Sequence, residues 1–148
     1  MAAYVTSDEC KVRMPVTELI RLFADKPTPS GVEPAAVDQL IFGPIAERAS
    51  RDIDGYLRRR YTVPFTTIPE AIKERCIDLV IYYGHQRRST MPERVRKDRD
   101  DTITWLKDCS KGVVDLGLEP VPASNATREV ESFAEARVMT RENLSGML

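Results

Sequence analysis

From Val37 onward the apolar residues Val37, Leu40, Ile41, Ile45, Ala49 and Ile53 return every three or four positions, and Tyr56 and Leu57 extend the row. That period lines one side of an α-helix. The pattern predicts a long helix from Pro34 to about Arg60, kinked at Gly43 and Pro44. Glu47, Arg51, Asp52, Arg58 and Arg59 fall largely elsewhere. The spacings Glu47 to Arg51 and Asp54 to Arg58 predict outward ion pairs worth roughly 0.2–0.5 kcal/mol each, so packing must supply most of the stability. Arg58 to Arg60 bring positive charge to the helix C-terminus, and Pro64 pushes Val63 into an extended conformation, predicting an extended exit over Tyr61 to Thr67.

The same reading applies on either side. Thr6 and Glu9 have capping-box spacing and start a short helix that Pro15 must interrupt near Arg13. Val16, Leu19, Ile20, Leu22 and Phe23 form a second apolar piece, giving two short helices or one bent one. Pro27, Pro29, Ser30 and Gly31 make Asp25 to Glu33 a loop. After Pro69, Ile72, Cys76, Leu79, Val80 and Tyr83 mark a helix to about Gln86 that is apolar nearly all round, broken only by Asp78; this is the central helix of the predicted bundle. Thr90 and Glu93 suggest a second capping box, opening a helix through Val95, Ile103, Leu106 and Cys109 to a stop at Gly112. Its first half, ERVRKDRDDT, predicts a solvated face paired Glu93 to Lys97, Arg94 to Asp98 and Arg96 to Asp100. Val114, Leu116 and Leu118 then alternate with Asp115 and Gly117, predicting one short strand paired with Tyr61 to Phe65 or with another subunit. The expected fold is mainly α: a bundle of about four helices with a short extended or β segment. Residues 1–118 form its domain, with core residues Ile53, Leu57, Ile72, Leu79, Val80, Ile103 and Leu106, and residues 119–148 form a C-terminal arm that orders on binding.

Three stretches in this order, ASRDIDGYLRRRYTVPF, IPEAIKERCIDLVIYY and ERVRKDRDDTITWLKDCSKGVVDLGL, resemble the small Mu-like phage proteins of the head-tail junction. The resemblance covers roughly Tyr4 to Leu118 and the terminal ARVMTRENLSGML. It implies a structural neck protein, an adaptor or head-completion ring (a dodecamer in the family) between portal and tail. The implied partners are the portal protein, neighbouring copies, a tail or stopper protein, and double-stranded DNA that passes without sequence-specific binding. The implied location is the virion neck, assembled in the host cytoplasm. Within the arm, Arg137, Val138, Met139, Thr140, Arg141 and Leu144 are the residues the resemblance assigns to the portal, and the alternation there suits β-addition to a partner edge. The stretch TREVESFAE, residues 127–135, departs from the small-residue linker expected by the resemblance and admits a short helix, which leaves the length and path of the arm open.

Composition narrows the alternatives. The net charge of −1 at 30% charged residues gives no global pull toward nucleic acid or an anionic membrane. Basic helix ends at Arg58 to Arg60 and Arg87 to Arg88 keep a helical DNA-binding regulator as the alternative, beside a tail-terminator ring. Cys10, Cys76 and Cys109 are widely spaced, which predicts small buried hydrophobes rather than disulfides or a zinc site. The first residues carry no apolar stretch of signal-peptide length, and no run approaches bilayer length, predicting a soluble, unexported protein without membrane contact.

Catalytic chemistry is not expected. The single histidine, His85, ends an apolar helix beside Gln86 and Arg87, where a surface role fits better than a general base without nucleophile or orienting partner. Asp98, Asp100 and Asp101 lie among arginines and lysines that would neutralise them rather than leave a metal cage. No cofactor is implied. Because the helix after Pro69 is apolar on all sides near Leu79, replacing Leu79 by Asp is expected to be among the most damaging single changes, read as loss of the cooperative unfolding transition.

Overall fold

The computed structural model describes residues 2–25 and 36–122. They form five helices: α1 (Ser7–Cys10), α2 (Val16–Phe23), α3 (Gln39–Leu57), α4 (Glu70–Arg87) and α5 (Glu93–Lys111), with no strand among the described residues. Most of the loop predicted before α3 lies outside them.

Local chemistry explains most boundaries. The Thr6 capping box forms, with the Glu9 amide bonded to the Thr6 hydroxyl and the Glu9 carboxylate to the Thr6 amide. The two N-terminal pieces are separate helices. Pro15 provides the break, and its carbonyl accepts from the amides of Glu18 and Leu19 at 3.0 and 3.1 Å to start α2. The long helix starts later than Pro34. Asp38 caps it, its carboxylate accepting from the Leu40 amide at 2.9 Å. It then runs as one element through Gly43 and Pro44.

The second capping box does not form. Pro92 takes an extended conformation directly before α5, so the helix opens at Glu93 and Thr90 lies too far back to cap it. Thr90 instead finishes α4, its amide bonding to the His85 carbonyl at 3.1 Å. At the other end Gly112 adopts φ +84°, as a left-handed C-cap requires, and stops α5 where expected.

Helix α4 packs against α2, α3 and α5. Ile53, Leu57, Ile72, Leu79, Val80 and Leu106 are wholly buried, while Ile103 is only partly buried against that core. Cys10, Cys76 and Cys109 are free and buried. After α5 the chain turns back across the exit of α3. The period of two read from the sequence is visible in its burial, Val114, Leu116 and Leu118 half-buried and Val113, Asp115 and Gly117 exposed. It makes no ladder because its contacts run to a side chain: the Tyr61 hydroxyl accepts from the Leu116 amide at 3.4 Å and donates to Asp115 at 3.5 Å. One backbone bond closes the segment, from the Val121 amide to the Arg60 carbonyl at 2.8 Å.

Gly84 permits the close approach of α4 to α2. A Cβ there would lie 2.7 Å from Cζ of Phe23, and Phe23 is fully buried with its ring edge-on to Phe42 at 5.2 Å. The ring cannot withdraw. Gly84→Ala is therefore expected to lower stability by about 1 kcal/mol, an overpacking cost of about 1–3 kcal/mol exceeding a helix-propensity gain of about 1 kcal/mol. Gly55→Ala in α3, with nothing within 4 Å, keeps only the gain. Urea unfolding should move the two midpoints in opposite directions.

Candidate interaction surfaces

The N-terminal segment is fastened to α3 by a buried polar cluster. The Tyr4 amide donates to Oγ of Ser50 at 2.9 Å, and the Tyr4 hydroxyl donates to Asp54 while accepting from the Phe65 amide at 3.1 Å. Ser50 in turn donates to the Ala46 carbonyl at 2.9 Å. This corrects the sequence reading of Asp54 as an outward partner of Arg58. Asp54 is 7% exposed and faces the first residues of the chain, whereas Arg58 is exposed. Helical spacing gives the angle of a side chain and not which distant segment covers it. Burial raises the Asp54 pKa above its ordinary value, against the lowering effect of the Tyr4 hydrogen bond. Its second oxygen has no hydrogen-bond partner among the described residues.

A second buried carboxylate joins three elements. Asp78 of α4 lies 3.0 Å from Arg13, 3.8 Å from Arg75 and 3.3 Å from the Thr102 hydroxyl of α5. Burial raises its pKa; Arg13 acts in the opposite direction. Beside it a cleft of about 240 Å³ opens between the start of α2, the middle of α4 and the start of α5, bordered by Glu18, Arg94 and Asp98.

The arginines at helix ends divide by what they touch. Arg87 donates to the Leu22 carbonyl at 3.4 Å and pairs with Asp25, and Arg88 donates to the Ala24 carbonyl. They serve the C-terminal end of α2 as well as that of their own helix. Arg60 is folded against Gly112 and lies 5.7 Å from the Tyr61 ring centre. Arg58 and Arg59 point to solvent. On the α3–α4–α5 surface Arg48 stacks over Tyr83 at 4.1 Å, Arg99 over Tyr82 at 5.3 Å, and the Tyr83 hydroxyl donates to Asp52. The group was not legible in the sequence, because Arg48 and Asp52 come to the adjacent Tyr82 and Tyr83 of α4 from α3, and Arg99 from α5.

Of the ion pairs expected along α5, Arg94 to Asp98 forms at 3.9 Å, and Arg99 takes Asp100 at 2.9 Å in place of Arg96. Neither Glu93–Lys97 nor Glu47–Arg51 is joined among the described residues. His85 is half-buried, with its pKa lowered by burial; its Nδ1 lies 3.4 Å from the Thr90 hydroxyl. Among the described residues no group of three or more His, Cys, Asp or Glu could hold a metal ion, and no helix is long and apolar enough to cross a membrane. The arm residues Arg137, Val138, Met139, Thr140, Arg141 and Leu144 lie outside the described residues.

Comparison with known proteins gives a consistent result. The profile of the family described as "Bacteriophage Mu, Gp36" matches residues 4–135. It takes in TREVESFAE, which the resemblance treated as a departure, and stops before Arg137. The "Mu-like prophage FluMu protein gp36" of Haemophilus influenzae is 33% identical over 86 residues, 58% of this chain and 60% of its own length. "Gene product J" of Escherichia phage Mu is 32% identical over 89 residues, 57% of this chain and 62% of its own length. The matched part thus spans about three fifths of each curated relative.

The raised pKa of Asp54 sets a pH dependence. The folded protein holds this proton to higher pH than the unfolded chain does, so the contribution of Asp54 is fully favourable below the ordinary value of 3.8 and is lost as pH rises through the raised value. Asp54→Asn keeps an acceptor for Tyr4 and removes the titration. In urea unfolding from pH 3 to 8 the variant should gain on the parent as pH rises; an unchanged difference would contradict the assignment.

Proposed function

The chain belongs to the bacteriophage Mu Gp36 family, and we propose that it is a structural neck protein, an adaptor that forms a ring between the portal and the tail. The observation that carries this reading is the family match over residues 4–135, taken with the ordered stretches whose resemblance to head-tail junction proteins was apparent in the sequence. The role is mechanical, not catalytic. A ring closes when one face of each subunit complements a different face of the next, and rigid helices provide such faces. Helices α3 and α4, each at least 18 residues long and packed on one another, form the wall in this reading. The partners are the portal, neighbouring copies, a tail or stopper protein, and duplex DNA that passes through without being read. Assembly takes place in the host cytoplasm, and the finished site is the virion neck.

The balanced charge supports passage of DNA rather than capture, since sequence-independent affinity comes from neutralising phosphates. Sedimentation of the purified protein alone, with its own phage's portal ring and with double-stranded DNA tests the proposal at physiological salt. Co-sedimentation with the portal is expected. Retention by DNA with no affinity for the portal would overturn the adaptor reading in favour of a DNA-binding regulator. Removal of residues 123–148 is expected to leave the helicity by circular dichroism intact while abolishing portal binding.

A further inference from the structure

Helix α3 keeps one face without a partner among the described residues. Leu40, Pro44, Arg48, Arg51, Gly55 and the C-cap Arg58 are all exposed, and at 3.6 residues per turn they fall within an arc of about 80° along roughly 27 Å of helix, with the exposed Glu47 at its edge and the exposed Arg59 in the turn just beyond. Leu40 is 87% exposed. No carboxylate among the described residues reaches ion-pairing distance of Arg51, Arg58 or Arg59. The face is a basic strip with apolar and small residues between its charges, and Gly55 leaves open space at its middle.

The path of the chain brings a complementary segment to this face. The Val121 amide is bonded to the Arg60 carbonyl, so the described backbone ends at Pro122 beside the last turn of α3. Shortly beyond comes TREVESFAE, residues 127–135, in which Glu129, Glu131 and Glu135 outweigh Arg128 and alternate with Val130, Phe133 and Ala134. Extended, residues 123–135 reach about 43 Å, enough to run the whole strip. Tethering makes the encounter intramolecular, with an effective concentration on the order of millimolar, so weak surface pairs suffice.

We propose that residues 127–135 dock along the exposed face of α3 of the same chain, antiparallel to it, with Glu129, Glu131 and Glu135 on the three arginines. Val130 and Phe133 then lie over Gly55, between Arg58 and Arg51. This inference does not rest on the neck reading. It has a consequence for it: the segment shields the free arginines of α3 from DNA phosphates, and residues 136–148 leave from a fixed point on the bundle.

The test uses the full chain with two added cysteines, the three native ones being buried with thiol pKa values pushed up to about 12, 12 and 11 by burial. The pair Gly55→Cys with Ala134→Cys is oxidised with copper phenanthroline and compared with Val12→Cys with Ala134→Cys, Val12 being 92% exposed in the separate α1–α4 groove. The first pair should close an intramolecular disulfide on the order of tenfold faster than the second, three exposed ion pairs being enough for that ratio. Adding Arg51→Glu, Arg58→Glu and Arg59→Glu should remove the advantage, and Glu129→Lys, Glu131→Lys and Glu135→Lys in that background should restore it. Equal rates for the two pairs overturn the proposal. So do disulfide-linked dimers, which give the face to a neighbouring copy, and arginine-dependent binding of a short labelled duplex without the crosslink, which gives it to nucleic acid.

Discussion

Between Cys76 and Ile81 every residue of α4 is buried, and any polar group placed there must be answered from inside the protein. Asp78 is that group. Arg13 answers it from the link between α1 and α2, Arg75 from one turn back on α4, and Thr102 from α5. A single carboxylate thereby fixes how the N-terminal segment and the last helix are set on the central one. Burying such a pair gains little over apolar packing, but losing one partner strands a charge and is costly. Its contribution is therefore to register more than to net stability. Arg13 remains half-exposed, which softens the cost of desolvating the pair.

The same logic closes the other side of the bundle. Tyr4 places a hydroxyl on Asp54 and an amide on Ser50, and its ring lies 5.8 Å from that of Phe65. The first residues of the chain, which hold almost no regular structure, thus complete the cover over α3 and grip its exit. Glu9 adds a pair with Lys73 of α4 at 3.1 Å, and the Ser7 hydroxyl accepts from Gln39 of α3 at 2.9 Å, so the one turn of α1 is anchored to α3 and α4. A four-residue helix is far too short to stand by itself. It persists through its cap and these side-chain bonds.

What the sequence disclosed was local. The apolar periods of α3, α4 and α5, the Thr6 cap and the Gly112 stop all depend on neighbours within a turn or two, and each was legible. Asp54 was misread because its cover comes from Tyr4, fifty positions away in sequence. Thr90 was misread because the capping pattern is common and Pro92 decided the helix start. The alternation after Gly112 was read correctly as burial and wrongly as a strand, since alternation reports which side of a chain faces the core and not what its backbone bonds to. The interaction surfaces were the least legible, for the aromatic and arginine groups are assembled from different helices.

The net charge of −1 conceals an uneven distribution of available charge. Arg13 and Arg75 are engaged by Asp78, Arg87 and Arg88 by the end of α2, and Arg48, Arg60 and Arg99 by tyrosine rings. Counting basic residues at helix ends therefore overstates what this surface can offer a phosphate backbone, because most of that charge already has an internal partner. Arg51, Arg58 and Arg59 differ in lying on one exposed strip with none among the described residues. A strip so narrow, interrupted by Pro44 and Gly55, matches a slender acidic and apolar segment better than the broad, regularly spaced charge of a duplex. Affinity for DNA scales with the number of phosphates neutralised, and the three arginines of this strip set a low ceiling on what it alone can contribute. Arg21, Arg96, Lys97, Lys107 and Lys111 are exposed without an ion pair among the described residues as well, so the distinction between letting DNA pass and holding it turns on where the free cations lie as much as on their number.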